Sequence, residues 1–352
     1  MKKLLKEIID ELYKKNNTSG EKLLYLINNI DKDSKKYLTS KAYETRLKYY
    51  ANKVYLRGLI EFTNYCKNSC LYCGISYRNN NAQRYRLSKE EILNCCKKGY
   101  SLGYRTFVLQ GGEDPYYTDD KIINIIKSIK NLFPDCAITL SIGEKSYETY
   151  KKFYEAGADR YLLRHETASK NLYEKLHPDM SFENRRLCLK NLKKIGYQVG
   201  AGFMIGLPNQ TNEDYVNDLI FLKELKPHMV GIGPFIPHKD TVLKNQSAGT
   251  LEDTTTLLAF IRLLLPEVLL PATTALGTIN PIGREEGLKS GANVVMPNLS
   301  PTNVRNKYML YDNKICTGDE AAECRKCIEN RINSAGFSLD LTRGDNILWR
   351  RI

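Results

Sequence analysis

The chain has 352 residues, enough to bury a full core either as one large α/β barrel or as two ordinary domains. Its formal charge is +13, but the lysines are scattered among Asn, Tyr and Ile without a dense basic block or an aromatic-interleaved arm, so compositional drift is read in preference to nucleic-acid binding. No run approaches the apolar length of a bilayer span, and the opening Met1-Lys2-Lys3-Leu4-Leu5-Lys6-Glu7 leads to no small-residue cleavage site, so neither membrane insertion nor export is expected.

Residues 1–57 carry helical signals: Leu4, Leu5, Ile8, Ile9 and Leu12 recur at helical spacing, and a second helical run covers 40–55. Short apolar runs then follow at 58–63, 106–110, 137–142, 160–166, 199–205, 229–235, 269–275 and 293–297. Amphipathic stretches separate them at 89–102, 119–132, 146–156, 182–195, 212–225, 253–265 and 284–290. This alternation predicts an α/β fold, a complete (β/α)8 TIM-type barrel over 58–300, with an N-terminal helical extension (1–57) and a cysteine-rich C-terminal extension (301–352). A doubly wound open sheet is the alternative. In a barrel the C-terminal ends of the strands gather at one face, and the polar constellations of this chain fall at such ends.

The first constellation is Cys66, Cys70 and Cys73, spaced C-x3-C-x2-C after the first predicted strand. Three thiolates can hold three corners of a cubane [4Fe-4S] cluster and leave the fourth iron open to a small molecule. Zinc is the competing reading, although no fourth Cys or His follows closely. Ten cysteines in two tight triads plus scattered positions suit metal ligation in a reducing, low-oxygen cytoplasm better than a disulfide framework. After the second strand, Gly111 and Gly112 let the backbone approach a ligand, and Glu113 can neutralise an ammonium group. A simple glycine turn is the alternative there.

On the fourth strand the period of two places Arg160, Leu162, Arg164 and Glu166 on one face, where two arginines would hold an anionic substrate and Glu166 a ribose or similar polar group. An internal salt-bridge network is the other reading. His165, of opposite parity, is expected to be a structural histidine. Arg185, in the first turns of the following helix, could clamp a carboxylate, with a solvated helix charge as the alternative. Thr139, Thr273, Thr274 and Met296 sit on strands from which they could line a pocket. The second triad, Cys316, Cys324 and Cys327 at C-x7-C-x2-C, suggests an auxiliary iron–sulfur cluster ([2Fe-2S] or [4Fe-4S]), with zinc as the alternative. Cys95, Cys96, Cys136 and Cys188 read as packing residues.

The cysteine spacing, with aromatic Tyr72 before the last cysteine and Gly111-Gly112-Glu113 downstream, resembles the radical S-adenosylmethionine (SAM) superfamily. Within it the chain is similar, from about Leu59 to Cys327, to the HydE family of [FeFe]-hydrogenase maturases, most specifically in the runs 108–116, 156–167, 230–238 and 271–279. Gly111 departs from a serine expected in some relatives and restores the general superfamily motif. The resemblance implies that Cys66, Cys70 and Cys73 carry the SAM cluster. It also implies that Tyr72, Gly111, Gly112, Glu113, Glu166 and Arg185 serve SAM, and that Thr139, Arg160, Arg164, Thr273, Thr274, Met296 and Tyr308 face a substrate cavity. Family members are thought to remodel a cysteine-bound iron carbonyl/cyanide unit received from the maturase HydG, to pass product to the scaffold GTPase HydF, and to draw on a low-potential electron donor. Biotin synthase, methylornithine synthase and a non-catalytic iron–sulfur carrier are the competing readings.

Overall fold

A computed structural model describes residues 2–318 and 321–351. Three helices come first: α1 (Lys3–Lys15), α2 (Gly20–Asn29) and α3 (Lys32–Tyr50). Next are β1 (Lys53–Leu56), β2 (Gly58–Thr63), α4 (Lys89–Ser101), β3 (Thr106–Gly111), α5 (Asp119–Leu132), β4 (Ala137–Ser141), α6 (Tyr147–Ala156) and β5 (Arg160–Leu162). The middle of the chain forms α7 (Lys170–Leu176), α8 (Phe182–Ile195), β6 (Gln198–Ala201), β7 (Met204–Ile205), α9 (Asn212–Leu225), β8 (Met229–Val230), β9 (Gly233–Pro234) and α10 (Leu251–Leu264). The remainder is α11 (Thr274–Ile279), α12 (Gly283–Lys289), β10 (Val294–Val295), α13 (Thr302–Arg305), α14 (Ala321–Ser334) and β11 (Ser338–Asp340).

The central sheet is parallel, in the order β2-β3-β4-β5-β6-β8, and β7 pairs with β9 beyond it. Single parallel bridges also join Met229 to Leu269, Pro271 to Val294 and Leu59 to Asn298. Strands buried on both faces read as continuous apolar runs, and β2 is buried at all six positions. The outer helices show the complementary pattern. On α5, Ile122, Ile125, Ile126 and Ile129 form one buried stripe at i, i+3, i+4 and i+7, each worth about 1.5–3 kcal/mol of burial. Thr118 caps that helix by accepting from the Lys121 N–H, and Ser88 with Glu91 closes a capping box on α4.

Two expectations shift in detail. The helical run assigned to 40–55 stops at Tyr50, and Lys53–Leu56 instead forms β1, which pairs in parallel with β10 and β11. The run at 269–275 forms no named strand; Leu269 and Pro271 make single bridges, and α11 begins at Thr274. No helix among the described residues is long and apolar enough to cross a membrane.

Candidate active site

The C-terminal strand ends surround a cavity of about 360 Å3. Cys66, Cys70 and Cys73 lie on its wall in the loop after β2 as free thiols. Burial pushes all three up, Cys73 to about 12 and Cys70 well above its usual range, and the neighbouring sulfurs push Cys70 and Cys73 further. Thiols so placed give up their protons only to a cation, which suits metal ligation. Among the described residues no three His, Cys, Asp or Glu side chains converge on one point as ligands of a single ion. Three thiols on one loop at the cavity wall are the donor set that three corners of a [4Fe-4S] cluster would need.

The loop is held by its neighbours. The Glu113 N–H donates to Cys66 Sγ at 3.4 Å, and the Lys67 N–H donates to the Glu113 carbonyl at 2.9 Å. Gly112 has to be glycine, because a Cβ there would lie 2.2 Å from the Tyr65 carbonyl oxygen and 2.6 Å from Cys66 Cβ. Gly143, at φ +75°, leaves room for the Glu113 carboxylate, which a Cβ would meet at 2.1 Å. That carboxylate accepts from the Glu144 N–H at 2.9 Å and lies 3.5 Å from Lys67 Nζ.

Arg164, Glu166 and Arg185 also line this cavity, and the charges of Arg185 and Glu166 act on the Cys70 thiol. Glu166 adopts φ +66°, a strained conformation for a residue with a side chain, and its Oε2 is buried without a hydrogen-bond partner. Arg164 Nε lies 3.6 Å from that oxygen, while its Nη2 donates to the Phe203 carbonyl at 2.5 Å. Arg185 donates from Nε to Glu144 at 2.6 Å and from Nη1 to the Arg164 carbonyl at 2.5 Å. Burial opposes its charge, but Tyr173, Glu144 and Glu166 outweigh that and hold it firmly protonated. Glu166 Oε2 and Arg164 Nε thus form an ion pair too long for a hydrogen bond, and both residues line the cavity.

Thr273, Thr274, Met296 and Tyr308 also line the cavity, and the Tyr308 hydroxyl accepts from Gln110 Nε2 at 3.3 Å. Two residues assigned to it are placed elsewhere. Arg160, the first residue of β5, is fully buried at the N-terminal end of the sheet; it donates to Thr106 Oγ1 at 2.9 Å, the Arg343 carbonyl at 2.7 Å and Asp345 Oδ1 at 2.6 Å. Its charge is met by the C-terminal tail, as in the internal salt-bridge alternative, and not by substrate. Thr139 pairs in register with Arg160 and is buried below the cavity. His165 is structural as expected: its Nδ1 accepts from the Gly202 N–H at 3.2 Å, and its Nε2 lies 3.1 Å from Asp218.

Of the second triad, Cys316 and Cys324 also reach the cavity wall, where Arg284 Nη2 lies 3.6 Å from Cys316 Sγ and 3.3 Å from Thr274 Oγ1. Cys327 is exposed one turn further along α14. Several cavity residues had no motif to announce them. Glu61 of β2 takes 2.5 Å from Lys314 Nζ and 2.7 Å from Asn298 Nδ2, and both Glu61 and Lys314 are nearly inaccessible. His177, just after α7, sits behind Tyr72 with its Nε2 3.0 Å from the phenol oxygen. Buried charge on an apolar strand was the one signal for Glu61; nothing marked His177.

This parallel α/β fold with a three-cysteine loop at a strand end defines a radical SAM protein, and the chain belongs to the Radical SAM superfamily, whose profile matches residues 60–253. That family brings a [4Fe-4S] cluster and SAM as its cofactors. At the level of the particular protein the similarity is to the [FeFe] hydrogenase maturase subunit HydE of Thermotoga maritima, 51% identical over 80% of both chains. The 3-methylornithine synthase of Methanosarcina acetivorans is 33% identical over 68% of each. Among solved structures, methylornithine synthase superposes with a TM-score of 0.83 at 28% identity, covering 95% of this chain and 97% of that one. The maturase HydG superposes with the same score at 22% identity, covering 96% and 76%, a likeness of fold.

Proposed function

We propose that this chain is a SAM-cleaving maturase that acts in assembly of the [FeFe]-hydrogenase active-site diiron subcluster. The observation that carries this reading is the 51% identity to HydE over 80% of both chains. The bridges at 229/269, 271/294 and 59/298 support a complete (β/α)8 ring over 58–300, between an N-terminal helical segment and a C-terminal segment that lends the cavity Tyr308, Lys314 and Cys316.

Cys66, Cys70 and Cys73 would hold the [4Fe-4S] cluster, and Glu113, Glu166 and Arg185 with Tyr72, Gly111 and Gly112 would hold SAM. When bound and reduced, that cluster would supply the one electron needed for reductive cleavage of SAM. The chain's own residues then have positional work. Glu113 fixes the cysteine loop through its N–H and presents a carboxylate to an ammonium group, while Glu166, whose Oε2 makes no hydrogen bond, offers a carboxylate to a hydroxyl. Arg164, with Thr273, Thr274, Met296 and Tyr308, forms the wall for an anionic substrate, consistent with a cysteine-bound iron carbonyl/cyanide unit delivered by HydG and passed on to HydF. Cys316, Cys324 and Cys327 are read as ligands of an auxiliary iron–sulfur cluster, and the setting as a reducing cytoplasm.

A second reading, a carbon-skeleton mutase, is favoured by the near full-length superposition on methylornithine synthase. One assay separates them. Anaerobically reconstituted protein, added with HydG and HydF to apo-hydrogenase, should restore hydrogen evolution, and omission should lower it at least tenfold. Equal activity with and without this chain would reject the maturase role.

A further inference from the structure

The cysteine loop is closed by one side chain outside it. Arg84, on the segment that runs from the loop to α4, donates from Nη1 to the Asn64 carbonyl at 2.5 Å and to the Ile75 carbonyl at 2.8 Å. Its Nη2 donates to the Ser76 carbonyl at 2.6 Å and to the Asn79 carbonyl at 3.1 Å. Cys66, Cys70 and Cys73 all lie between Asn64 and Ile75, so a single nitrogen draws the two ends of their peptide together. Asn64 fixes the backbone on both sides of Arg84: its Oδ1 accepts from the Tyr85 N–H at 2.8 Å, and its Nδ2 donates to the Gln83 carbonyl at 2.8 Å.

The charge of this half-buried guanidinium has no counter-ion. Four carbonyl oxygens solvate it, but among the described residues no carboxylate comes within 4 Å of it. The loop's two acidic neighbours are taken by other cations: Glu113 lies 3.5 Å from Lys67 Nζ, and Asp114 lies 2.7 Å from Arg86 Nε. Arg86 is thus neutralised, whereas Arg84, two residues earlier, is a net cation. Burial weakens its hold on the proton, and Cys66 and Cys73 oppose that by favouring its charge.

An iron–sulfur cluster on three thiolates is anionic, and one-electron reduction adds a further negative charge. A fixed cation without a counter-ion favours the more negative state, and does so strongly where water is excluded. We propose that Arg84 is the built-in counter-charge of the cluster that Cys66, Cys70 and Cys73 would hold, a positioning residue that closes their loop and raises the reduction potential of that cluster. The inference rests on the radical SAM reading of the same loop. The electron comes from an external reductant, titanium(III) citrate in the test below, which loses one electron as the cluster gains one; no bond forms or breaks and no proton moves.

The test is a redox titration of the anaerobically reconstituted holoenzyme with titanium(III) citrate. Electron paramagnetic resonance follows the reduced-cluster signal that SAM perturbs, and iron content reads the loading. Arg84→Gln keeps an amide that can still meet a carbonyl but removes the charge. It should lower the equilibrium constant for reduction at least tenfold, a fall of about 59 mV for a one-electron couple. Arg84→Lys keeps the charge without the fork and should stay within threefold of wild type. Lys190→Gln, which removes a charge from the exposed face of α8, should also stay within threefold. If Arg84→Gln takes up no iron, a loaded Arg84→Lys at near wild-type potential still supports the counter-charge. Equal potentials in wild type and a loaded Arg84→Gln would overturn the proposal. So would an Arg84→Lys protein that holds no cluster, or a fall in Arg84→Lys or Lys190→Gln as large as that in Arg84→Gln. A wild type without a cluster would reject the reading of the loop and this proposal with it. A cluster that titrates as predicted but never yields 5′-deoxyadenosine would reject the enzymatic reading alone.

Discussion

The tautomer of His177 follows from geometry alone. Its Nδ1 lies 2.8 Å from the Tyr173 carbonyl, which can only accept, so Nδ1 carries the proton and Nε2 receives the Tyr72 hydroxyl at 3.0 Å. Burial lowers His177 to about 4, which keeps it neutral and able to accept. The Tyr72 ring on the cavity wall is therefore set by a residue that does not line the cavity. We expect His177→Phe to weaken SAM binding about tenfold, on the order of the 1.4 kcal/mol of one net hydrogen bond. His177→Gln should recover most of it, and Tyr72→Phe should add little to His177→Phe in SAM titrations.

The same residue makes stability depend on pH. Its folded value is depressed below the usual 6.5, so its contribution is present above pH 6.5 and is lost as pH falls toward 4. Urea unfolding of the metal-free protein should show a decline of up to about 3 kcal/mol across that window. His177→Gln should flatten it. An unchanged slope in that variant would refute the assignment.

The period of two groups Arg160 with Arg164 on one face, although β5 ends at Leu162, and periodicity carries no depth. Four extended residues at about 3.3 Å each would separate them by up to about 13 Å. One lies at the cavity and the other at the opposite end against Asp345, a partner 185 residues downstream that no local pattern could indicate.

Among elements, the segment 307–316 does more than its sequence suggests. The Gly74 N–H donates to the Leu310 carbonyl, the Asp312 N–H donates to the Pro237 carbonyl, and Asn64 Nδ2 donates to the Lys307 carbonyl. Tyr308 and Lys314 bring this strap onto the cavity, where the Glu61–Lys314 pair fastens it. Cutting one side of a desolvated pair strands the other charge. Lys314→Met should therefore cost about 3–5 kcal/mol in denaturant unfolding, and Glu61→Gln in the same chain should restore much of it, since Gln still meets Asn298. If the single variant is as stable as wild type, the strap is not fastened there. The residues of this pair are 253 apart, and α7 has only seven residues, which explains why neither was legible. The cysteine loop, the glycine pair and the long amphipathic helices were legible because each is a local pattern with a local cause.

At the scale of the whole molecule the two ends of the sheet do different work. At the N-terminal end, β11 joins β1, and the tail beyond it supplies Asp345 to Arg160 and Gln198, with Trp349 Nε1 donating to the Gly196 carbonyl. Arg160→Met should lower the thermal midpoint by several degrees, since about 1 kcal/mol shifts it by about 2–4 °C in larger domains. SAM affinity should stay within twofold, because the guanidinium is remote from the cavity. A selective loss of SAM binding with unchanged stability would return Arg160 to the site.

At the C-terminal end the fold gathers three thiols, the Glu166–Arg164 pair and a walled cavity, which we propose form one SAM-cleaving centre. Anaerobically reconstituted protein reduced with dithionite in the presence of SAM tests this most directly, with 5′-deoxyadenosine quantified for wild type and for Cys70→Ser. We expect catalytic formation of 5′-deoxyadenosine by wild type and none above background for the variant; formation by a folded Cys70→Ser protein at the wild-type rate would contradict the account.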